Sequence, residues 1–282
     1  MRTSEILPTT IFPFSLPTVE LGQKLDSVVL QTLQKRDFPL CQGDIICIAS
    51  KVVSIAERRV VPLKQKQVSN IAQKLATKYS MNRQLAQIVV DEADSILGGV
   101  RGFLLTLKGG ILTANAGVDV KNSPAGTAVL WPADPDNSAS LLRASLMRDR
   151  KARIGVAVID SRITPLRLGT VGIAIGISGF RTIRDDRGKR DLYGRRIRVT
   201  QSNLADDIAS AAHLLMGERD ERKGLVVIRD APVAMTGRSS NLALDSRRCL
   251  IGSSLISSLT YRGLRPERAL LNMRSLRSAY SK

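Results

Sequence analysis

Two runs of this sequence constrain its fold more than any other feature. Ile154 to Ile159 (IGVAVI) and Val171 to Ser178 (VGIAIGIS) are apolar almost throughout. Each is short, rich in β-branched residues and bounded by turn or polar residues, so each reads as a buried strand. The first ends on Asp160. The second carries Gly172 and Gly176, and a glycine inside a strand marks a bulge or the close approach of another backbone. The stretch from Gly169 to Phe180 is too short to span a bilayer as a helix.

Other segments fill in around this pair. Asp44 to Ser50 (DIICIAS) reads as a third buried strand, with Val52-Val53 extending it after a bend. Val68 to Leu97 shows helical spacing broken near Tyr79–Asn82, which predicts two helices. Phe103–Lys108 and Gly110–Ala114 flank a Gly109-Gly110 turn, a hairpin signal. Ala128 to Trp131 is a short apolar run. Ser138 to Arg148 reads as a helix capped by Asn137 or Ser138. Arg195 to Gln201 alternates and predicts a half-exposed strand. Asn203 to Met216 is an amphipathic helix that Asn203 and Asp206 open as a capping box and Gly217 stops. Leu225 to Arg229 is a further strand, Ser253 to Leu264 is ambiguous, and Pro266 to Tyr280 reads as a basic terminal helix. The result is an α+β (mixed α/β) chain rather than a βαβ ladder.

Composition narrows the function. The 282 residues carry a net charge of +18, one histidine, three cysteines and 4% aromatics. The charge is uneven: +10 falls on residues 143–198 and +7 on residues 238–282, mostly as arginine. Arginine suits phosphate and carboxylate recognition, so polyanion binding and a site for a highly charged small substrate stand beside a solvated basic surface. The low aromatic content argues against a stacking platform for single-stranded nucleic acid. A single histidine excludes multi-histidine zinc sites. Cys41, Cys47 and Cys249 form no CxxC pair and read as reduced, buried thiols of a cytoplasmic protein. The segment Met1 to Pro17 lacks the long apolar run of a signal peptide.

No GxxxxGK(S/T) phosphate loop is present. The carboxylates say more. Asp119 lies just past a strand end, after Asn115-Ala116-Gly117-Val118. Asp160-Ser161 ends another strand, and Glu218 follows a helix-stopping glycine. Carboxylates at element ends, beside a hydroxyl, suit Mg²⁺ or Mn²⁺ carrying nucleotide phosphates; taken singly, each reads as a turn or cap residue ahead of a ligand. His213, on the helix that ends at Met216, reads as a structural histidine ahead of a substrate contact.

Together these words resemble the coenzyme F420-0:L-glutamate ligase (F420-0:γ-glutamyl ligase) family over about residues 10–230. The resemblance is carried by Gly43-Asp44-Ile45-Ile46, Ala49-Ser50-Lys51-Val52-Val53-Ser54 and Glu57, by Asn115-Ala116-Gly117-Val118-Asp119 with Asn122, and by Asp134-Pro135-Asp136-Asn137-Ser138-Ala139 with Arg143. Gly169 through Gly179, Asp191-Leu192-Tyr193-Gly194-Arg195, Val199-Thr200, Ala205-Asp206 and Leu215-Met216-Gly217-Glu218 then follow in the family's order.

The resemblance implies a family-specific α+β fold with mixed and antiparallel sheets, forming a homodimer. It implies one catalytic domain over 1–237, with room for two subdomains, and a basic extension over 238–282. The implied reaction joins L-glutamate to F420-0 by an amide bond, driven by GTP through an acyl phosphate, with further γ-linked glutamates added. By position, Asp119 and Asp160 would hold one divalent cation, and Ser161 and Glu218 a second, with K⁺ as a further cofactor. Phe14, Ser15, Leu16, Pro17, Ala49, Ser50, Ser54, Asn122, His213, Met216, Gly217 and Asp220 would line the GTP site, with His213 a neighbour and not a base.

The chain departs from the family at Ser161-Arg162-Ile163-Thr164, where Thr-Asn-Gly-Arg is usual; at Glu57-Arg58-Arg59, where Glu-Gly-Arg is usual; and at Asp230, where Gly is usual. A ligase with a different acceptor, and an inactive polyanion-binding protein, are the alternatives.

Overall fold

The computed structural model of the chain describes residues 8–148, 152–237, 242–245 and 248–254. In chain order the elements are β1 (Thr10–Phe14), α1 (Leu25–Gln34), β2 (Ile45–Ala49), α2 (Ser50–Ala56), β3 (Val60–Pro62), α3 (Asn70–Tyr79), α4 (Arg83–Glu92), β4 (Ser95–Val100), β5 (Phe103–Lys108), β6 (Ile111–Ala114), a 3₁₀ turn (Asn115–Gly117), β7 (Thr127–Val129), α5 (Pro135–Met147), β8 (Gly155–Ile163), β9 (Thr170–Ser178), β10 (Ile183–Asp185), β11 (Gln201–Asn203), α6 (Leu204–Met216) and β12 (Leu225–Arg229). This is an α+β protein with mixed and antiparallel sheets. The described residues divide into two units: those within 8–59 and 131–237, and those within 60–130 and 242–254.

The first unit is built on one sheet in the order β1-β12-β2-β8-β9. β2 and β8 run parallel, and the other neighbours run antiparallel. Ile45, Ile46, Cys47 and Ile48 of β2, Val156 and Val158 of β8, and Leu225, Val226 and Val227 of β12 are 0% exposed. Such continuous burial is what the unbroken apolar runs dictate.

The two strand glycines receive helices. A Cβ on Gly172 would lie 2.3 Å from the Ala209 carbonyl oxygen of α6, and one on Gly176 would lie 2.2 Å from the Pro135 carbonyl oxygen of α5. Both helix backbones therefore lie against β9 at a distance only glycine permits. At the far end of the sheet, Arg229 clamps the fully buried Asp44 carboxylate through two 2.8 Å bonds. The Asp44 carboxylate holds the Arg229 guanidinium pKa above its ordinary value.

In the second unit, α3 and α4 pack together beside the β4-β5-β6 meander and the β3-β7 pair. Ser69 and Asn82 cap the helices by accepting from Ala72 N and Leu85 N. Ser80, in the left-handed region at φ 52°, ends α3.

Five expectations are corrected. Val52 and Val53 lie in helix α2 and do not extend β2; Val52 packs over the chain at Gly224, where a Cβ would meet it at 2.9 Å. Helix α5 begins at Pro135, and its cap is Asp134, whose carboxylate accepts from Asn137 N at 3.0 Å. Proline suits that first helical position because its missing N–H would have had no partner there. β8 continues through Asp160 to Ile163, because β9 pairs with it as far as Thr170. Residues 195–200 form no strand, only an isolated bridge from Arg196 to Arg190: the Asp191 carboxylate accepts from the Tyr193 and Arg195 amides, and Val199 is 83% exposed with no sheet to bury it. Cys41 is exposed rather than buried, whereas Cys47 is buried and burial raises its thiol pKa. The expected terminal helix and most of the ambiguous segment before it lie outside the described residues.

Candidate functional site

The register of the first unit's sheet gathers the candidate segments. Phe14 pairs with Leu225, Leu225 with Ile48, and Ile48 with Val158. The carboxyl ends of β1, β2 and β8 thus come to one end of the sheet. At this level lie residues 14–17, 49–54, the loop after α6, and Asp160 and Ser161, where β8 runs on past the end of β2. Backbone bonds tie them together: Leu16 N donates to Arg222 O at 2.8 Å, and Ala49 N donates to Gly224 O at 2.9 Å. Carboxyl ends of strands with the loops beyond them are where sheet proteins build ligand crevices.

Within this cluster the side chains divide. Phe14 and Leu16 are buried, while Ser15 and Pro17 are exposed. Phe14 meets the Phe38 ring edge-on at 5.0 Å. Ser50 opens α2, and Ser54 is 1% exposed with its Oγ lacking a hydrogen-bond partner. Met216 is 7% exposed and faces the core. Gly217 sits at φ 74°, so it stops α6 in a conformation that favours glycine. Asp220 is exposed in the following loop.

Asp160 is held from two directions. Its Oδ1 accepts from Ser161 N at 2.8 Å, and its Oδ2 accepts from the indole N–H of Trp131. Trp131 is 4% exposed. Its carbonyl accepts from Arg59 Nε at 3.0 Å.

Ser161 belongs to the other face of the hairpin. It pairs with Gly172 across β8 and β9, and directly opposed residues of an antiparallel pair point to the same face. Gly172 faces α6, where its absent Cβ would also lie 2.7 Å from His213 Cβ. On that side Glu218 Oε1 lies 2.9 Å from His213 Nε2 and accepts from Thr170 Oγ1 at 3.0 Å. Ser161 and Glu218 therefore share one face, and Asp160 turns to the other. Arg162 Nε, on β8 beside them, is buried without a hydrogen-bond partner.

Asp119 is in the second unit. It forms a bridge with Val129, N to O at 3.0 Å and back at 2.8 Å, and its Oδ1 accepts from Lys121 N at 2.8 Å. Asn115, Ala116 and Gly117 before it are all left-handed, at φ 51°, 54° and 71°, and Asn122 after it is at φ 53°. The run is locked by Asn115 Oδ1 accepting from Leu104 N at 2.8 Å and by Ala116 N donating to Thr106 Oγ1 at 2.7 Å. Non-glycine residues held this way cost of order 1–3 kcal/mol each and concentrate at functional sites.

The donors fit a hard divalent cation in kind: carboxylate and hydroxyl oxygens, with the carboxylates themselves hydrogen-bonded, as supporting residues do for metal ligands. Among the described residues no three His, Cys, Asp or Glu side chains form a cluster that could hold a metal ion.

Sequence reasoning missed Trp131, Thr170 and Arg59. Trp131 is the chain's sole tryptophan, and that was the one available signal. The bonds made by Thr170 and Arg59 left none.

The fold and the site define an α+β protein with an oxygen-donor site at the carboxyl end of a mixed sheet. The chain belongs to the F420-0:Gamma-glutamyl ligase family, whose model matches residues 13–230. Among curated proteins it is similar to the coenzyme F420:L-glutamate ligase of Methanopyrus kandleri, 40% identical over 67% of this chain and 75% of the relative. The protein of that name from Archaeoglobus fulgidus is 34% identical over 85% of this chain and 97% of its own length. That of Methanocaldococcus jannaschii is 39% identical over 70% and 79%. No helix among the described residues is long and apolar enough to cross a membrane.

Proposed function

We propose that the protein is a GTP-dependent ligase that forms an amide bond between L-glutamate and F420-0, and extends the product by further γ-linked glutamates. The observation that carries this reading is the sheet end of the first unit, where Asp160, Ser161 and Glu218 are hydrogen-bonded or face-matched beside the segments assigned to GTP.

A carboxylate resists attack by an amine, so it must first acquire a leaving group. The γ-phosphoryl group of GTP passes to a carboxylate oxygen of F420-0, giving an acyl phosphate and GDP. The glutamate amine then attacks the acyl carbon; the C–O bond to phosphate breaks, phosphate leaves, and the amine gives up a proton. Such a reaction relies on positioning and charge stabilisation.

Asp160, Ser161 and Glu218 in the first unit offer oxygens to Mg²⁺ or Mn²⁺ ions, and Asp119 is the second unit's candidate ligand. Those ions, when bound, neutralise phosphate charge. Residues 14–17, Ala49, Ser50, Ser54 and 213–220 of the first unit hold the nucleotide, and Asn122 is the second unit's candidate contact. The unpartnered Ser54 Oγ and Arg162 Nε are donors suited to phosphate oxygens, since a buried polar group without a partner costs stability until it finds one. K⁺ as a cofactor, a homodimer and a cytoplasmic location complete the reading.

Incubation with F420-0, GTP, glutamate and Mn²⁺, followed by mass analysis, tests it. The expected product is heavier by one or more glutamyl units; folded protein that gives none counts against the reading. A second reading, a related ligase with a different acceptor, is motivated by Ile163 and Thr164 at the hairpin tip, beside Leu166 and Leu168, which are 105% and 106% exposed. It is favoured if GTP is turned over only when F420-0 is replaced by another carboxylate.

A further inference from the structure

Asp160 sits mid-strand on β8, where the backbone is fixed but the carboxylate is not. Rotation of an aspartate about χ2 is broad and nearly unrestrained, so the sheet alone does not set the plane in which the two oxygens lie. Two donors set it. The Ser161 amide takes Oδ1 at 2.8 Å and belongs to the same strand. The Trp131 indole takes Oδ2 and comes from outside the sheet.

The indole is itself anchored. Trp131 is 4% exposed, and Arg59 Nε donates to its carbonyl at 3.0 Å. Three residues on, Asp134 caps α5. The first turn of α5 is seated on β9 by the Pro135–Gly176 approach of 2.2 Å and by Asp136 Oδ1, which accepts from Ile177 N at 2.7 Å. The chain leading to the indole is therefore fixed to the strand beside the one that carries Asp160. A donor held this rigidly dictates where the carboxylate points.

We propose that Trp131 is a positioning residue for Asp160: its indole N–H fixes the carboxylate plane in which Asp160 takes a divalent cation. Trp131 is the chain's only tryptophan, so its emission also reports occupancy of that cation position. This rests on the reading of Asp160 as a cation ligand, and the experiment separates the two.

The test uses the full chain with Mn²⁺ alone, following bound Mn²⁺ by electron paramagnetic resonance and Trp131 emission in the same titration. Paramagnetic Mn²⁺ held on Asp160 quenches the adjacent indole, and diamagnetic Mg²⁺ reverses the quench by competition. The expected result is a quench that follows one phase of the Mn²⁺ isotherm and disappears in Asp160→Asn while the emission itself remains. Trp131→Phe keeps an aromatic ring and removes the N–H; it is expected to weaken Mn²⁺ binding by about 10–100-fold, the usual effect of losing a ligand's supporting bond. In turnover it raises the Mn²⁺ needed for half-maximal rate far more than the KM for GTP. A merely structural role would lower thermal stability without this selective effect.

Bound Mn²⁺ with unchanged emission overturns the proposal, as does a folded Trp131→Phe variant with wild-type Mn²⁺ affinity. The wild-type quench needs no variant, so the proposal stays testable if Trp131→Phe does not fold. A normal quench in a protein without ligase activity supports the positioning role and overturns the proposed function. Mn²⁺-dependent ligase activity without a quench does the reverse.

Discussion

Replacing Gly172 with alanine should damage both stability and the site, because that glycine seats α6. The new Cβ would start 2.3 Å from the Ala209 carbonyl oxygen and 2.7 Å from the Ala209 carbonyl carbon and His213 Cβ. Two of the three obstructing atoms are backbone, so no rotamer change relieves the contact. Restoring ordinary van der Waals separation requires α6 to retreat by about 1 Å in a close-packed interior. Overpacking of this kind costs about 1–3 kcal/mol. For a protein of this size each kcal/mol lowers Tm by roughly 2–4 °C. The retreat also carries His213, and with it the Glu218 carboxylate; a misplacement of ~1 Å at a reacting centre can cost about 100-fold in rate. Urea denaturation monitored by circular dichroism, beside a ligase assay, measures both effects. Gly237→Ala is the control, because its Cβ meets nothing within 4 Å. If Gly172→Ala unfolds at the same urea concentration as the control and keeps full activity, α6 does not rest on Gly172 and the placement of Glu218 is wrongly explained.

Other outcomes follow from single contacts. Arg229→Met leaves the fully buried Asp44 carboxylate without its clamp and should cost about 3–5 kcal/mol in chemical denaturation; pairing it with Asp44→Asn should recover part of that loss. The Arg187 guanidinium bound to Asp185 lowers that carboxyl from its ordinary 3.8 to about 2, so Arg187→Ala should return its NMR titration midpoint upward. A depressed carboxylate stabilises the fold above its unfolded pKa, so this contribution is present at neutral pH and is lost as pH falls from about 4 toward 2. Cys41 should react with a maleimide in the native protein, whereas Cys47, buried and with its thiol pKa raised, should react only after unfolding. Asp160→Asn should fold normally and abolish ligase turnover; an active variant would remove Asp160 from the proposed chemistry.

The buried strands were legible because burial on both faces leaves an unbroken apolar run, as in β2, β8 and β9. The glycines of β9 announced close backbone approach, though the approaching helices could not be named. Local capping was legible at α6, where Asn203 accepts from Asp206 N at 3.2 Å, and misread at α5, where the cap is Asp134, three residues before the expected Asn137. The end of β8 was misplaced because Asp160 and Ser161 look like a strand terminus, while pairing with β9 carries the strand three residues past Asp160. The donor partners of the site were not legible at all. Trp131 and Thr170 lie 29 and 48 residues from the carboxylates they hold, and no local pattern encodes contacts of that range.

The path of one oxygen shows most directly whether the amide bond is made through an acyl phosphate. F420-0 labelled with ¹⁸O in its reacting carboxylate is incubated with the protein, GTP, glutamate and Mn²⁺, and the inorganic phosphate is analysed by mass. An acyl phosphate leaves one ¹⁸O in phosphate for each amide formed, in step with GDP. Amide product accompanied by unlabelled phosphate would contradict it.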